Sequence, residues 1–333
     1  MKKLKYFFER IKTTKDIKSK LVIALLWKVL VILLLPFIYR ATHNYIEDYK
    51  SEPIEILQPP STQSLEHKYP VREFSPTFAT LDQITNFSDI IRYIFYVDPT
   101  AYVYEEDFDL QLLSTIDLRT NLRGVVPRIL ITHTHSQEFF INSTDESQSI
   151  VAVGRYLAEI LSTRYYVSVI HDIGIYDMVN GERMIYGAYE RAEQGVRAIL
   201  EKHPTIEVII DLHRDAAPDG VRLVTEIDGR ETAQIMFFNG IARRNVEGQA
   251  VELHEFFNPY IQENLALSLQ MFLTANEQFP NLARRNFIKA YRYSLHIKPR
   301  SMLVEVGANT STFEEAKNAM YPLATILMSV LSY

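Results

Sequence analysis

Three groups of residues in this chain of 333 could bind a cation or move a proton, and no cysteine stands among them. The first is Thr132-His133-Thr134-His135-Ser136-Gln137-Glu138, two imidazoles and a carboxylate within one short segment. The second is Asp211-Leu212-His213-Arg214-Asp215. The third is Glu305, alone inside the apolar run MLVEV at 302–306. An ionised carboxylate in a buried strand costs several kcal/mol unless it is paired, protonated or facing a site. Without thiolates, any metal must be held by His and carboxylates. Two imidazoles, one ligating carboxylate and one spare carboxylate make up a catalytic zinc centre with an open position, where the cation acidifies a water and the spare carboxylate takes its proton. Each histidine taken singly reads as structural or surface; the reading rests on their convergence.

These residues need elements that bring them together. Strand-like runs at 128–132, 165–170, 206–212, 221–226, 233–239 and 301–306 alternate with helical patterns at 149–163, 186–202, 259–278 and 313–331. That alternation predicts an α/β fold with a mostly parallel twisted sheet and helices on both faces. In such sheets ligands sit at the carboxyl ends of strands, which is where His133, His135 and Glu138 follow the first run and His213 closes the third. On an extended strand His133 and His135 would point to the same side, so spacing leaves the choice between them open. Asp211 shares a side with His213 and could orient its ring. His171 ends the second run, as a residue lining the cleft or as a structural one. His254, His296, Tyr291, Arg292 and Tyr293 fall in stretches expected to rim a groove.

The segments ILITHTHSQEFF, VGRYLAEIL, IIDLHRDA, AQIMFFNG and LARRNFIKAYRYSLHIKPRSMLVEVGANTSTFEEA, in that order over residues 125–332, resemble the stage II sporulation protein P family. These are membrane-anchored cell-wall hydrolases related to zinc N-acetylmuramoyl-L-alanine amidases. The resemblance implies a zinc amidase-like fold, zinc held by His133, Glu138 and His213, and Glu305 as the catalytic carboxylate. It leaves His135 as a neighbour of the metal site or a substrate contact, and puts Arg214 and Asp215 at its edge. It further implies cleavage of the amide between N-acetylmuramic acid and L-alanine in peptidoglycan, with a possible cross-link endopeptidase activity, in septal wall thinning and forespore engulfment during sporulation. A lytic transglycosylase and a multispanning membrane protein are the implied partners. Two other readings are a zinc carboxypeptidase, with Arg214 as clamp for a terminal carboxylate, and an inert membrane-tethered scaffold binding the wall.

The N-terminus adds location. Residues 1–20 hold eight basic and two acidic residues, and 21–39 (LVIALLWKVLVILLLPFIY) contain Lys28 as their only charge. Nineteen residues at ~1.5 Å reach about 28 Å, the thickness of a bilayer core. With no small-residue cleavage site after it, the segment reads as an uncleaved transmembrane helix, with the basic tail in the cytoplasm and the remainder outside the cell membrane. Residues 40–80 are polar and proline-rich and read as a stalk, 81–124 as a region packing on the catalytic domain, and 125–333 as that domain. The overall charge of -6 gives no support for a nucleic-acid partner.

Overall fold

The computed structural model describes residues 54–60, 84 and 86–333. The tail, the apolar span at 21–39 and most of the stalk segment lie outside the described residues. The chain divides into two units, Met1–Ser51 and Glu52–Tyr333; the sheet and the candidate site belong to the second. Among the described residues no helix is long and apolar enough to cross a membrane.

Eight strands form one sheet: β1 (Ile54–Leu57), β2 (Phe95–Val97), β3 (Gly124–Thr132), β4 (Val167–Asp172), β5 (Val208–Asp215), β6 (Ile235–Gly240), β7 (Asn286–Lys289) and β8 (Ser301–Ala308). Their order is β1-β4-β3-β5-β8-β6-β7-β2. Five of the seven neighbouring pairs are parallel; β1–β4 and β8–β6 are antiparallel. The helices are α1 (Phe87–Tyr93), α2 (Leu110–Thr115), α3 (Ile150–Tyr165), α4 (Ala188–Lys202), α5 (Ile261–Gln278), α6 (Phe313–Asn318) and α7 (Met320–Leu331). The expected α/β architecture is present.

Strand alternation sorts the sheet into two covered faces. Ile129 and Ile131 of β3, Ile210 and Leu212 of β5, and Val304 and Val306 of β8 join α3, α5 and α7 in the larger core. Leu130, Ile170 and Ile209 pack instead with Val196 and Ile199 of α4. Burying a Leu or Ile side chain is worth about 1.5–3 kcal/mol. Cover on both sides explains why the central strands read as unbroken apolar runs rather than alternating ones.

Local chemistry accounts for the departures from expectation. The closing helix is two helices meeting at Ala319. Pro322 has no N–H for the Asn318 carbonyl, so it is accommodated only in the first turn of a new helix. The expected strand at 221–226 is instead part of a ribbon outside the main sheet, Val224–Ile227 paired with Arg230–Ala233. Its Asp228-Gly229 turn has both residues at positive φ, 50° and 76°, the geometry of a tight two-residue hairpin. Ile54–Leu57, inside the segment read as a stalk, is an edge strand antiparallel to β4, with Leu57 packed on the larger core and Ile54 on the smaller. At the far edge β2 comes from the region read as packing on the catalytic domain; it is a strand of the same sheet.

Gly195 of α4 sets a test of this packing. Helix propensity alone favours Gly195→Ala by about 1 kcal/mol. Tyr176, however, is fully buried, donates its hydroxyl to Asp172 at 2.8 Å, and lies so close that an added Cβ would meet its ring atoms Cζ and Cε1 at 2.8 and 2.9 Å. Overpacking of this kind costs about 1–3 kcal/mol, so the substitution is expected to lower the urea midpoint; a raised midpoint would show that α4 can slide off Tyr176.

Candidate metal centre

β5 places Asp211, His213 and Asp215 on the same side as Ile209, the side covered by α4. Parallel pairing sets Glu305 of β8 directly beside His213, and the first turn of α4 lays the Tyr189 ring over the imidazole, 6.4 Å between centroids at 20°. β3 ends at Thr132, and the chain bends at Thr134. The loop that follows brings in His135 and Glu138. His135 Nδ1 lies 3.4 Å from Glu138 Oε1, and His213 Nδ1 lies 3.6 Å from Glu138 Oε2. Donor atoms of His135, Glu138 and His213 are all within 4.8 Å of one another, a spacing that one cation could bridge.

His133 is elsewhere. Its ring continues the Ile129–Ile131 side of β3 and packs against Gly154 of α3, where a Cβ would stand 2.5 Å from two ring atoms. Its Nδ1 donates to the Leu212 carbonyl at 2.8 Å, and its Nε2 is 3.0 Å from His171 Nε2. The expectation that His133 and His135 share a side fails because the strand stops between Thr132 and His133; the bend, not the pleat, aims His135. His133 and His171 are both completely buried.

Asp211 anchors the arrangement. Fully buried, it accepts hydrogen bonds from the Thr134 backbone at 2.9 Å, the Thr134 hydroxyl at 2.7 Å, the Ser294 hydroxyl at 3.0 Å and His213 Nε2 at 2.8 Å. Burial pushes its carboxyl up, but the His213 charge and these donors pull it down to about 2. Burial likewise pushes His213 down, and Asp211 and Glu138 outweigh it, leaving the ring well above its ordinary value. Glu138, raised by burial and lowered more by His213 and its donors, ends below the carboxylate range. Its Oε2 accepts from the Arg214 backbone at 2.9 Å, and the loop is pinned further by Ser136 and Gln137 donating to buried Asp177.

Glu305 is half-buried, yet its Oε2 is enclosed without a hydrogen-bond partner, as is His135 Nε2. Burial raises its carboxyl to about 8, with Glu138 and Asp215 adding to the rise and His213 and Arg284 opposing it. Arg214 is committed: its Nε donates to the Phe139 carbonyl at 2.8 Å and its Nη1 to the Asp215 carbonyl at 3.2 Å. Asp215 pairs with Arg284 at 2.7 Å. Tyr291 is exposed and packs edge-on against Phe256, while Arg292 pairs with Glu193 at 3.2 Å. His254 is exposed in the turn His254–Phe256, and His296 contacts Glu193; none of these four touches the cluster. Sequence reasoning missed Thr134, Ser294, Tyr189 and Arg284. Thr134, between the two histidines, was within reach of a closer reading; Ser294 is 83 residues from the carboxylate it serves.

Against this geometry, the chain matches the family model of stage II sporulation protein P over residues 45–328. The chain belongs to that family. A curated member, stage II sporulation protein P of Bacillus subtilis, is 21% identical over 214 residues, which are 60% of this chain and 49% of that protein. The match thus spans about half the length of that relative. Among solved structures, the N-acetylmuramoyl-L-alanine amidase AmiC2 of Nostoc punctiforme is similar at 14% identity over 62% of this chain and 97% of that one, TM-score 0.37. The CwlD amidase from Clostridioides difficile, solved with the GerS lipoprotein, is similar at 12% identity over 61% and 98%, TM-score 0.38.

Protonation gives a direct check on the metal-free protein. Burial, with the neighbouring His171 charge, lowers His133 to about 3; burial and Arg155 lower His171 to about 4. Unfolded, both rings would bind a proton near the ordinary 6.5, so they remove stability as pH falls below that value. His213, raised when folded, contributes fully below 6.5 and loses its contribution as pH climbs above it. NMR titration is expected to find His213 still protonated above pH 6.5 and the other two rings still neutral just below it. A neutral His213 near pH 6.5 would refute the role given to Asp211 and Glu138.

Proposed function

We infer that this chain is a zinc-dependent peptidoglycan hydrolase that cleaves the amide between N-acetylmuramic acid and L-alanine, with His135, Glu138 and His213 as ligands and Glu305 as the proton carrier. The observation behind this reading is the convergence of those three donors with Glu305 register-paired to His213. The donors fit the ion: two imidazoles and a carboxylate suit zinc, His135 Nε2 is an enclosed nitrogen with no partner, and Asp211 accepts from the remote nitrogen of His213, as ligating imidazoles require. When bound, zinc would supply Lewis acidity toward the scissile carbonyl and an attacking water.

The protein's own groups do the rest. Glu305 Oε2, with no partner to release, accepts a proton from water and returns it to the leaving amine. At about 8 in the metal-free protein its carboxyl is mostly protonated at neutral pH; a cation beside it lowers that value toward the range of a working general base. Tyr189 shields one face of His213 from water. Arg214 spends its guanidinium on the backbone of the loop and of Asp215, which weighs against the carboxypeptidase reading, and the assembled donor set weighs against an inert scaffold.

The family resemblance extends the proposal to cross-link cleavage and to septal wall thinning during engulfment, alongside a lytic transglycosylase and a multispanning membrane protein. The basic residues at 1–20 and the apolar 21–39 support a single-pass anchor with the hydrolase outside the cell membrane. Protease added to intact protoplasts is then expected to digest residues 52–333; complete protection would reverse the topology.

Substitutions separate the roles. Glu305→Gln is expected to keep zinc near the wild-type content, measured by atomic emission, while muropeptide release falls by about 10²-fold or more. His135→Ala and His213→Ala should lose metal and activity together. His133→Ala should keep its zinc and lose thermal stability, because its ring fills the space beside Gly154. Free stem peptides, identified by mass, are the expected product. Zinc loss in His133→Ala with retention in His135→Ala would exchange the two histidines; release of single terminal amino acids would make the enzyme a carboxypeptidase.

A further inference from the structure

Buried tyrosine hydroxyls in this fold have partners: Tyr176 donates to Asp172 at 2.8 Å, and Tyr165 lies 2.8 Å from the Thr325 hydroxyl. Tyr189 departs from that pattern. Its ring is half-buried in the small cluster that holds Phe238 and Tyr293, yet among the described residues its hydroxyl has no hydrogen-bond partner. Unlike Glu305 Oε2, that oxygen is not enclosed, so a ligand can reach it.

The ring stands against both imidazoles of the donor set, nearly parallel to His213 and edge-on to His135 at 5.5 Å and 72°. Tyr293 closes on it edge-on at 5.1 Å, from a backbone with φ at 51° that a bulky residue adopts only where its surroundings hold it. The chain leading into α4 is fixed as well. Buried Arg191, two residues on, donates to the carbonyls of Tyr176 at 2.7 Å, Tyr186 at 3.1 Å and Met184. Tyr189 is thus a pre-placed group on a rigid element. Burial pushes its phenol well above the ordinary value, and Asp211, Glu305, Tyr293 and Glu138 add to the rise, so the hydroxyl keeps its hydrogen among these carboxylates.

Amide hydrolysis makes a demand that Glu305 cannot meet. As water adds, its oxygen bonds to the carbonyl carbon, the π pair moves onto the carbonyl oxygen, and the charge developing there needs a hydrogen-bond donor. The neighbouring donors are committed: the Thr134 and Ser294 hydroxyls to Asp211, the Arg214 guanidinium to backbone carbonyls, and that of Arg284 to Asp215. The Tyr189 hydrogen is not. We propose that Tyr189 is a further catalytic residue, its hydroxyl donating to the carbonyl oxygen of the scissile amide as that oxygen gains negative charge. The inference rests on the hydrolase reading. Tyr189 donates a hydrogen bond and keeps its proton throughout; when the C–N bond breaks, the pair on oxygen re-forms the carbonyl and the proton held by Glu305 passes to the leaving nitrogen. A bond that strengthens only as charge develops acts on kcat and leaves KM unchanged.

The test compares the full-length zinc-loaded chain with Tyr189→Phe, which removes one oxygen and leaves the ring against both imidazoles. Zinc content, melting temperature and the His213 titration of the metal-free protein should match wild type. On a soluble muropeptide fragment kcat should fall about 10²-fold, the scale of one lost oxyanion donor, with KM unchanged. Calorimetry adds a readout that a packing role would not move. A fragment with a phosphinate in place of the scissile amide carries the tetrahedral anion and should bind the variant about 10²-fold more weakly. The intact fragment, measured on chains that also carry Glu305→Gln, should bind both equally. Wild-type kcat in Tyr189→Phe, unchanged phosphinate affinity, or a loss of activity that follows zinc or affinity for the intact fragment overturns the proposal and leaves the hydrolase reading. A wild-type chain that releases nothing from peptidoglycan removes that reading and the proposal with it.

Discussion

A single buried carboxylate holds the centre together. Asp211 takes four donors from three separate parts of the chain: the bend after β3, its own strand, and the segment before β8. A buried ion without such partners would cost several kcal/mol, so the bend, the His213 ring and Ser294 are each held by the need to satisfy it. The same contacts fix which nitrogen of His213 faces Glu138. Geometry at the donors is thus inherited from a residue that faces no ligand at all.

The contrast between His133 and His135 shows what sequence could and could not disclose. Residue types were legible: a chain without cysteine can offer a metal only imidazole and carboxylate, and Glu138, His213 and Glu305 meet where the strand-end rule places them. The element pattern was legible too, since long apolar runs and amphipathic helices survive tertiary packing. What decides between the two histidines is the residue at which β3 stops, and strand ends are set by partners such as Asp211 and Gly154 that lie far away in sequence. The proline-rich surroundings of Ile54–Leu57 masked a strand in the same way, because its apolar contacts are all long-range. Pro322 could have been read from sequence as the break in the last helix.

The sheet's change of direction also matters. β8 runs parallel to β5 on one side and antiparallel to β6 on the other. Parallel pairing sets Glu305 level with His213, so both side chains leave the same end of the sheet. On the antiparallel side Glu305 is register-paired with Met236, an apolar residue whose side chain offers no hydrogen bond, and burial keeps the carboxyl high. One strand thus gives Glu305 a charged flank and an apolar flank, the combination that shifts a carboxyl without fixing its proton.

The two outermost strands have a consequence for the molecule among its neighbours. β1 has four residues and β2 three, so the longer inner strands β4 and β7 are capped by pieces too short to template a new ladder. Short edges are a recognised protection against strand-to-strand association. That protection would keep neighbouring copies of the chain from adding to one another's sheets. Glu55 rides on one of these caps, so the residue that pairs with Arg155 of α3 also belongs to the strand that keeps the sheet closed.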